Sequence, residues 1–524
     1  MELTEGLLAA LVVSIVVAAI ARRMGWGIAL PVLGVGVVFG FLPVGPRPPE
    51  NAGEVFLFVL APLVFGEALS SSYFDIRRFR RPILALAIGL VVVSSVAVGL
   101  VASAVVPAIP LAIAFCLGAI LSPTDAVAVA AVAKRASLPR RVVTILEGES
   151  LVNDGTGLTL LRVGLAAAAA GALSGGEIAL VLLQSVIGGL AVGVIVGIIL
   201  ALVVRRGSDS LIANSLILVA PFPTYLVAEQ VQGSGILAVV AAALITTNAM
   251  VGEAGFRGRA ASVATWRQIS FVLQAFAFFL VGLELPETVR ALTPDNLRAL
   301  PVLVLAVLVT LFVARAGFVL IMVAVSRWTP GERLGLRDAV VLAWAGTRGP
   351  VSGLAAFSVP VTLVGGEIFP ERRLLLATTF VVIVVTLLLA PTLRYVAKAV
   401  RLRPDDDAVR AAQVRGALAA RGVERLDEVM EQALLANQQV PEEAAEALRA
   451  RLLAELHVYG GADGLHDAAD RARQAWSVES QVIKAQQEEL LRLRDDEGIP
   501  DAILRPIQAE LDAQQAALKA RRPA

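Results

Sequence analysis

The chain reads as an all-α polytopic membrane protein with a polar helical tail, and three observations carry that reading. Its 524 residues are 57% hydrophobic, with a mean hydropathy of +0.77, which is too apolar for a soluble globule whose surface must be mostly polar. Apolar runs approaching the roughly 20 residues that a bilayer core requires recur along residues 1–403. Basic residues concentrate in every second gap between those runs. The net charge of +1 leaves no nucleic-acid footprint. The single cysteine, Cys116, cannot form an internal disulfide, and nothing suggests a metal cluster or a cofactor.

Thirteen spans are expected. The first, 5–21, has acid before it (MELTEG) and Arg22-Arg23 after it. That order reverses the charge pattern of a cleaved signal peptide, so the span is read as retained, with its N-terminus outside. Next come 28–42 and 54–73, then 82–106 and 111–133. The sixth is 141–170 and the seventh 177–204. They are followed by 211–229, 235–250, 266–285, 298–326, 337–358 and 373–399. The second and ninth are short, and several others are long enough to tilt. Loop charge tests the count. The inner loops would hold Arg22 and Arg23, then Arg77, Arg78, Arg80 and Arg81, then Lys134, Arg135, Arg140 and Arg141. Arg205, Arg206, Arg257, Arg259, Arg267, Arg327, Arg333 and Arg337 follow, and Arg394, Lys398, Arg401 and Arg403 leave the last span. The outer loops would hold only Arg47, Arg290, Arg298, Arg372 and Arg373. The alternation never breaks, which predicts an odd span count and a cytoplasmic C-terminus.

Two domains are expected: a transmembrane domain over 1–403 and a cytoplasmic helical domain over 404–524. The second is rich in Asp, Glu, Arg, Gln and Ala and has no long apolar run. Pro441-Glu-Glu opens one helix, with acids favoured in its first turn. Gly498-Ile-Pro500 separates two more, since Gly suits a helix stop and Pro blocks continuation.

Spans five and twelve carry helix breakers in mid-run. Pro123 in LGAILSPTDAV removes a backbone donor and clashes with the preceding turn. Gly346, Gly349 and Pro350 do the same in AGTRGPVSG. The two spans are seven apart, so with span seven as a linker the halves would be copies of opposite orientation. Matching interruptions in inverted halves point to a transporter's binding site. Ordinary kinks are the plainer reading, but charged residues sit at both breaks.

Those charges are costly. An ionisable side chain at a bilayer centre costs roughly 3 kcal/mol or more and so marks an ion or proton path. At about 1.5 Å per residue, Asp154 lies roughly 20 Å from the inner end of its span, Asp125 roughly 15 Å, and Arg315 and Arg348 roughly 16 Å. All four are near mid-membrane. Both histidines, His457 and His466, fall in the tail, so an intramembrane proton carrier must be a carboxylate. Asp154 is the primary candidate: a lone carboxylate can hold a proton or a small cation, not both, and that competition is the core of exchange. A structural ion pair is its plainer role. Na⁺ is a hard ion and wants oxygen ligands. Ser150, one turn before Asp154, offers a hydroxyl; the opened backbone at Thr124 offers carbonyls, and Asp125 a carboxylate. Asn153 beside Asp154 leaves one acid at this position, which limits the protons moved. Glu149 and Arg315, opposite in sign at matching depth, are read as a structural salt bridge. Arg348 either offsets helix-dipole ends and Asp125 or gates access. Glu67, in VFGEALSSSYFD, is either a further acid near the ion or a structural cap. Glu147 lies nearer the inner surface and would help draw cations in. Arg162 has no account at this level.

The pieces SPTDAVAV (122–129), GESLVND (148–154), FFLVGLEL (278–285), VARAGF around Arg315 and GTRGPVSG (346–353) resemble the sodium/proton exchanger branch of the monovalent cation:proton antiporters. The resemblance covers roughly residues 1–400. It implies a thirteen-span inverted-repeat fold, a homodimer in the cell membrane, and electroneutral exchange of one cation for one proton. It implies that Asp154 binds the ion, Na⁺ or another monovalent cation, with Ser150, Thr124 and Asp125 around it. Asn153 would be the Asn of the family's Asn-Asp pair, and Glu149 and Arg315 its ion pair. The electrogenic branch has two adjacent acids where this chain has Asn153-Asp154, and often an intramembrane Lys that is not found here.

Three rival readings differ in their requirements. An intramembrane aspartyl protease would want Tyr-Asp and Gly-x-Gly-Asp, whereas Asp125 follows Thr and Asp154 follows Asn. A channel selectivity ring needs no paired broken helices and would favour a four-fold repeat. A proton-coupled carrier of organic solutes would need a roomier polar cavity.

Overall fold

A computed structural model of the chain describes residues 2–42, 56–125, 138–170, 174–206, 209–250, 256–326, 334–359, 362, 369, 371–402, 407–435, 442–459, 476–490, 492 and 501–520. These residues are almost entirely helical, with no strand among them. They divide into two compact units, Met1–Pro404 and Asp405–Ala524.

The first unit opens with α1 (Glu2–Arg23) and α2 (Ala29–Phe41). A π-helical turn over Phe56–Leu60 leads into α3 (Ala61–Ser70), and the short α4 (Tyr73–Arg78) is capped by the Ser72 hydroxyl. Next come α5 (Arg80–Val105), α6 (Leu111–Leu121), α7 (Arg140–Ala170) and α8 (Gly175–Arg206). The eighth expected span is two helices, α9 (Ser210–Val219) and α10 (Pro221–Gln230), bent by 40°. Pro221 explains the bend: it supplies no donor to the preceding turn, yet its fixed φ suits a helix start. The unit continues with α11 (Gly235–Ala249), α12 (Phe256–Arg290), α13 (Pro294–Ser326), α14 (Leu336–Trp344), α15 (Pro350–Ala356) and α16 (Arg372–Ala399).

Five of these helices, α5, α8, most of α12 and α13, and α16, are long and apolar enough to cross a membrane, and the bent α9–α10 pair makes a sixth. The helices Ala29–Phe41, Leu57–Ser70, Leu111–Leu121 and Gly235–Ala249 are apolar but shorter. The 31-residue α7 spans about 46 Å at 1.5 Å per residue, long enough to cross, and it carries Glu147, Glu149, Asp154 and Arg162. Large apolar side chains lie outward along α8 and α13, among them Leu183, Ile195, Leu305 and Ile321. Such faces suit lipid, not water. The chain is a multi-pass membrane protein.

Helix contacts in this unit rest on small residues, as expected where lipid supplies no hydrophobic drive between helices. Gly189, Gly193 and Gly197 recur every fourth residue on α8 and lie against α11; a Cβ on Gly193 would meet Ala241 Cβ at 2.8 Å and Ala238 Cα at 2.9 Å. Three apolar clusters fill the unit. The largest gathers α2, α5, α6, α12 and α16, a second gathers α3, α8 and α11, and a third holds the N-terminal parts of α5 and α7 with α14.

In the second unit α17 (Asp407–Leu435) pairs with α18 (Glu442–Tyr459). A helix over 476–490 lies beside α20 (Asp501–Ala520), where Trp476 Nε1 donates to the Leu518 carbonyl at 2.9 Å. The 476–490 helix is α19. The expected helix start at Pro441, the joint at Gly498–Pro500 and the second half of span five (126–133) lie outside the described residues. So do His466, Arg47, Lys134, Arg135, Arg327, Arg333 and Arg403.

Candidate ion-binding site

The site forms where two non-helical segments cross. α6 ends at Leu121, and residues 122–125 leave the helix at Pro123. α14 ends at Trp344, residues 345–349 are non-helical, and α15 restarts with Pro350 as its first residue. The two segments bond to each other: Asp125 N donates to the Thr347 carbonyl at 2.9 Å, and Thr347 Oγ1 donates to the Asp125 carbonyl at 3.0 Å. The crossing needs a glycine. A Cβ on Gly349 would lie 2.6 Å from Asp125 Cβ and 2.7 Å from its Oδ2.

A small cleft opens at this crossing. Asp154 and Ser150 reach it from adjacent turns of α7, and Asp125 from the unwound segment. Glu67 reaches it from α3, Gln274 from α12 and Ser352 from α15. Asp154 is 5% exposed and Ser150 is 4% exposed. Three carboxylates and two hydroxyls therefore share one small enclosed space, the oxygen-rich surroundings that suit a hard cation or a proton.

Beside the cleft runs a buried polar chain. Asn153 Nδ2 donates to Thr124 Oγ1 at 3.0 Å and to the Thr124 carbonyl at 3.3 Å. Thr124 Oγ1 in turn donates to Glu149 Oε1 at 3.0 Å. Arg315 closes the chain with Nη1 on Glu149 Oε1 at 2.5 Å and Nη2 on Oε2 at 2.9 Å, while its Nε donates to the Leu342 carbonyl at 2.8 Å. Their side chains are 1% exposed for Glu149 and 3% for Arg315. This is the bidentate fork that makes a guanidinium–carboxylate pair specific. Thr124 and Asn153 do not line the cleft; they tie the unwound segment to α7 and to this ion pair. The Asn153 Oδ1 atom is buried without a hydrogen-bond partner.

Arg348 lies between the half-helices. Its Nε donates to the Leu121 carbonyl at 2.8 Å, its Nη1 to the Gly346 carbonyl, and its backbone N–H to Thr386 Oγ1 at 3.1 Å. Both side-chain acceptors lie at or just past helix C-terminal ends, where orphan carbonyls collect partial negative charge.

The tertiary structure also resolves what sequence reasoning left blank. Arg162 pairs with Glu229 at 2.6 Å and donates to the Gly233 carbonyl at 2.8 Å, at the turn between α10 and α11. Gln274 was missed. Its signal was present as a lone amide in the run FVLQAFAFFL (271–280).

The chain matches the family described as "Sodium/hydrogen exchanger, transmembrane" over residues 8–395. An uncharacterised Na(+)/H(+) exchanger of Mycobacterium tuberculosis is 33% identical, over 97% of this chain and 95% of the relative. The sodium, potassium, lithium and rubidium/H(+) antiporter of Bacillus subtilis is 33% identical, over 68% of this chain and 55% of that protein. The structure of the sodium proton antiporter MjNhaP1 from Methanocaldococcus jannaschii at pH 8 superposes with a TM-score of 0.63. That match has 20% identity and covers 76% of this chain and 99% of that one, so it speaks for the fold. These relatives are transporters by name, not enzymes, which sets the protease reading aside. The chain belongs to the transmembrane sodium/hydrogen exchanger family.

Proposed function

We propose that the protein exchanges Na⁺, or Li⁺ or K⁺, for H⁺ across the cytoplasmic membrane as an electroneutral antiporter. One observation carries the reading: Asp154 shares a buried cleft with Ser150, Asp125 and Glu67 at the crossing of two unwound segments. Asp154 takes either the cation or the proton, and alternating access delivers each to the opposite side. Asn153 and Thr124 act from beside the cleft, holding the unwound segment in place. The Glu149–Arg315 pair is structural, and Arg348 offsets the helix ends it bonds. One proton-carrying acid at the Asn153-Asp154 position is the basis for one-for-one exchange.

The same reading takes thirteen spans in two inverted halves, with spans five and twelve interrupted, an outer N-terminus and a cytoplasmic C-terminus. The working form is a homodimer in the cell membrane. Residues 1–403 transport, and residues 404–524 form a cytoplasmic domain that regulates. The test is a proteoliposome assay with a pH-sensitive dye, titrated with Na⁺, Li⁺ and K⁺. Cation-driven proton flux is expected from the native protein, and none from Asp154→Asn that remains folded and inserted. Substantial exchange by that variant would remove Asp154 from the mechanism.

A further inference from the structure

Two sets of residues wall the cleft: Asp154, Ser150 and Asp125, carried by α7 and the unwound segment, and Glu67 on α3 with Gln274 on α12. The second set is built as a unit. α3 and α12 meet closely at Gly66, where a Cβ would lie 2.9 Å from Trp266 Cε3 and would also strike Ser270 Oγ. Phe65 packs on the same Trp266 ring, centroid to centroid at 5.1 Å. Ser270 and Gln274 are one turn apart on α12, and Gly66 and Glu67 are adjacent on α3. The contact at Gly66 therefore sets the register that brings Gln274 Nε2 to Glu67 Oε1, at 3.1 Å. The α3 backbone is held as well: Ser71 Oγ donates to the Glu67 carbonyl at 2.8 Å.

We propose that Gln274 is a positioning residue that pins the Glu67 carboxylate in the cleft it shares with Asp154, and so sets how the site ranks monovalent cations of different radius. This rests on the antiport reading above. The chemistry is specific. A glutamine carries no charge and takes no proton, so it adds nothing to the competition at Asp154. Its amide N–H occupies one carboxylate oxygen and limits how far Glu67 can swing. Selectivity among hard cations depends on cavity size and on ligand rigidity. A pinned carboxylate favours the ion whose radius fits; a freed one follows larger or smaller ions alike. The buried Gln274 side chain, 7% exposed, has little room for another rotamer.

The test uses full-length protein in proteoliposomes, with apparent KM measured for Li⁺, Na⁺ and K⁺. Gln274→Met keeps the volume and removes the donor. It should raise the KM of the best-fitting cation on the order of ten-fold, the scale of losing a partner behind a metal-ligating group. The other two should change less, so the KM ratios shift, which a general loss of structure would not produce. Placed on Glu67→Met, which offers no acceptor to Gln274, the same change should shift the ratios no further, because its effect passes through Glu67. Gln274→Asn, which keeps the amide but withdraws it by one methylene, should shift the ratios in the same direction and serves if the Met variant does not fold. Equal changes for all three cations, or none, would overturn the proposal. So would a ratio shift that persists on Glu67→Met, or complete loss of exchange in a folded Gln274→Met protein. Asp154→Asn measured in parallel separates the two ideas: exchange surviving there sinks the antiport reading, whereas unchanged ratios in Gln274→Met sink only the role of Gln274.

Discussion

Glu149→Gln is the perturbation whose size can be worked out most directly. The native carboxylate takes two guanidinium hydrogen bonds, at 2.5 and 2.9 Å, and one from Thr124 Oγ1 at 3.0 Å, with both charged side chains almost fully buried. Gln keeps the shape but not the charge. Arg315 is then left buried with the Leu342 carbonyl and a neutral amide oxygen as acceptors. Removing one partner of a buried pair costs about 3–5 kcal/mol, because the surviving charge is uncompensated. For a domain of this size that corresponds to a fall in thermal midpoint of roughly 4–6 °C. Arg315→Met should cost a similar amount, since Glu149 would then be the stranded charge. The double change removes both charges and should recover a good part of the loss, since buried pairs replaced by apolar groups are often neutral. The assay is thermal unfolding of purified protein in detergent, followed by tryptophan fluorescence, with exchange measured in parallel. If Glu149→Gln unfolds at the native temperature but no longer exchanges ions, the pair belongs to the transport chemistry and the structural reasoning is wrong.

Three further outcomes are expected. Exchange should be insensitive to an imposed potassium–valinomycin potential; a clear rate response would contradict one-for-one stoichiometry. Gly349→Ala should lower exchange by at least ten-fold, a barrier or population change of about 1.4 kcal/mol, because its Cβ would lie 2.6 Å from the Asp125 side chain; native rates would mean the crossing of the two segments tolerates displacement. A protein ending near residue 403 should insert and exchange ions with an altered pH or ion dependence, and complete loss of exchange in a folded, dimeric truncation would place the tail in the transport machinery.

Periodic apolar runs, loop charge and the position of each breaker are local properties, and they were legible directly. Pro123 and the Gly346–Pro350 cluster disfavour a continuous helix, and α6 ends at Leu121 and α14 at Trp344; Pro286 and Pro301 sit inside α12 and α13, so residue type marked where a break was expected and packing decided which breaks formed. The cost of charge in an apolar run marked Asp154, Asp125, Glu149 and Arg315 in the same way. The opposite signs and matching depth of Glu149 and Arg315 were enough to expect the bond that the structure contains. Partners chosen by packing were not legible. Nothing in a linear sequence says that the Thr124 hydroxyl turns to Glu149, because that depends on how α7 lies against residues 122–125. Arg162 had no account because its partner, Glu229, is 67 residues away on a helix bent by Pro221. Gln274 looked like one polar residue in an apolar helix until the contact at Gly66 brought α12 against α3. Single-residue energetics determined which groups had to be satisfied; close packing between helices decided which group satisfies which.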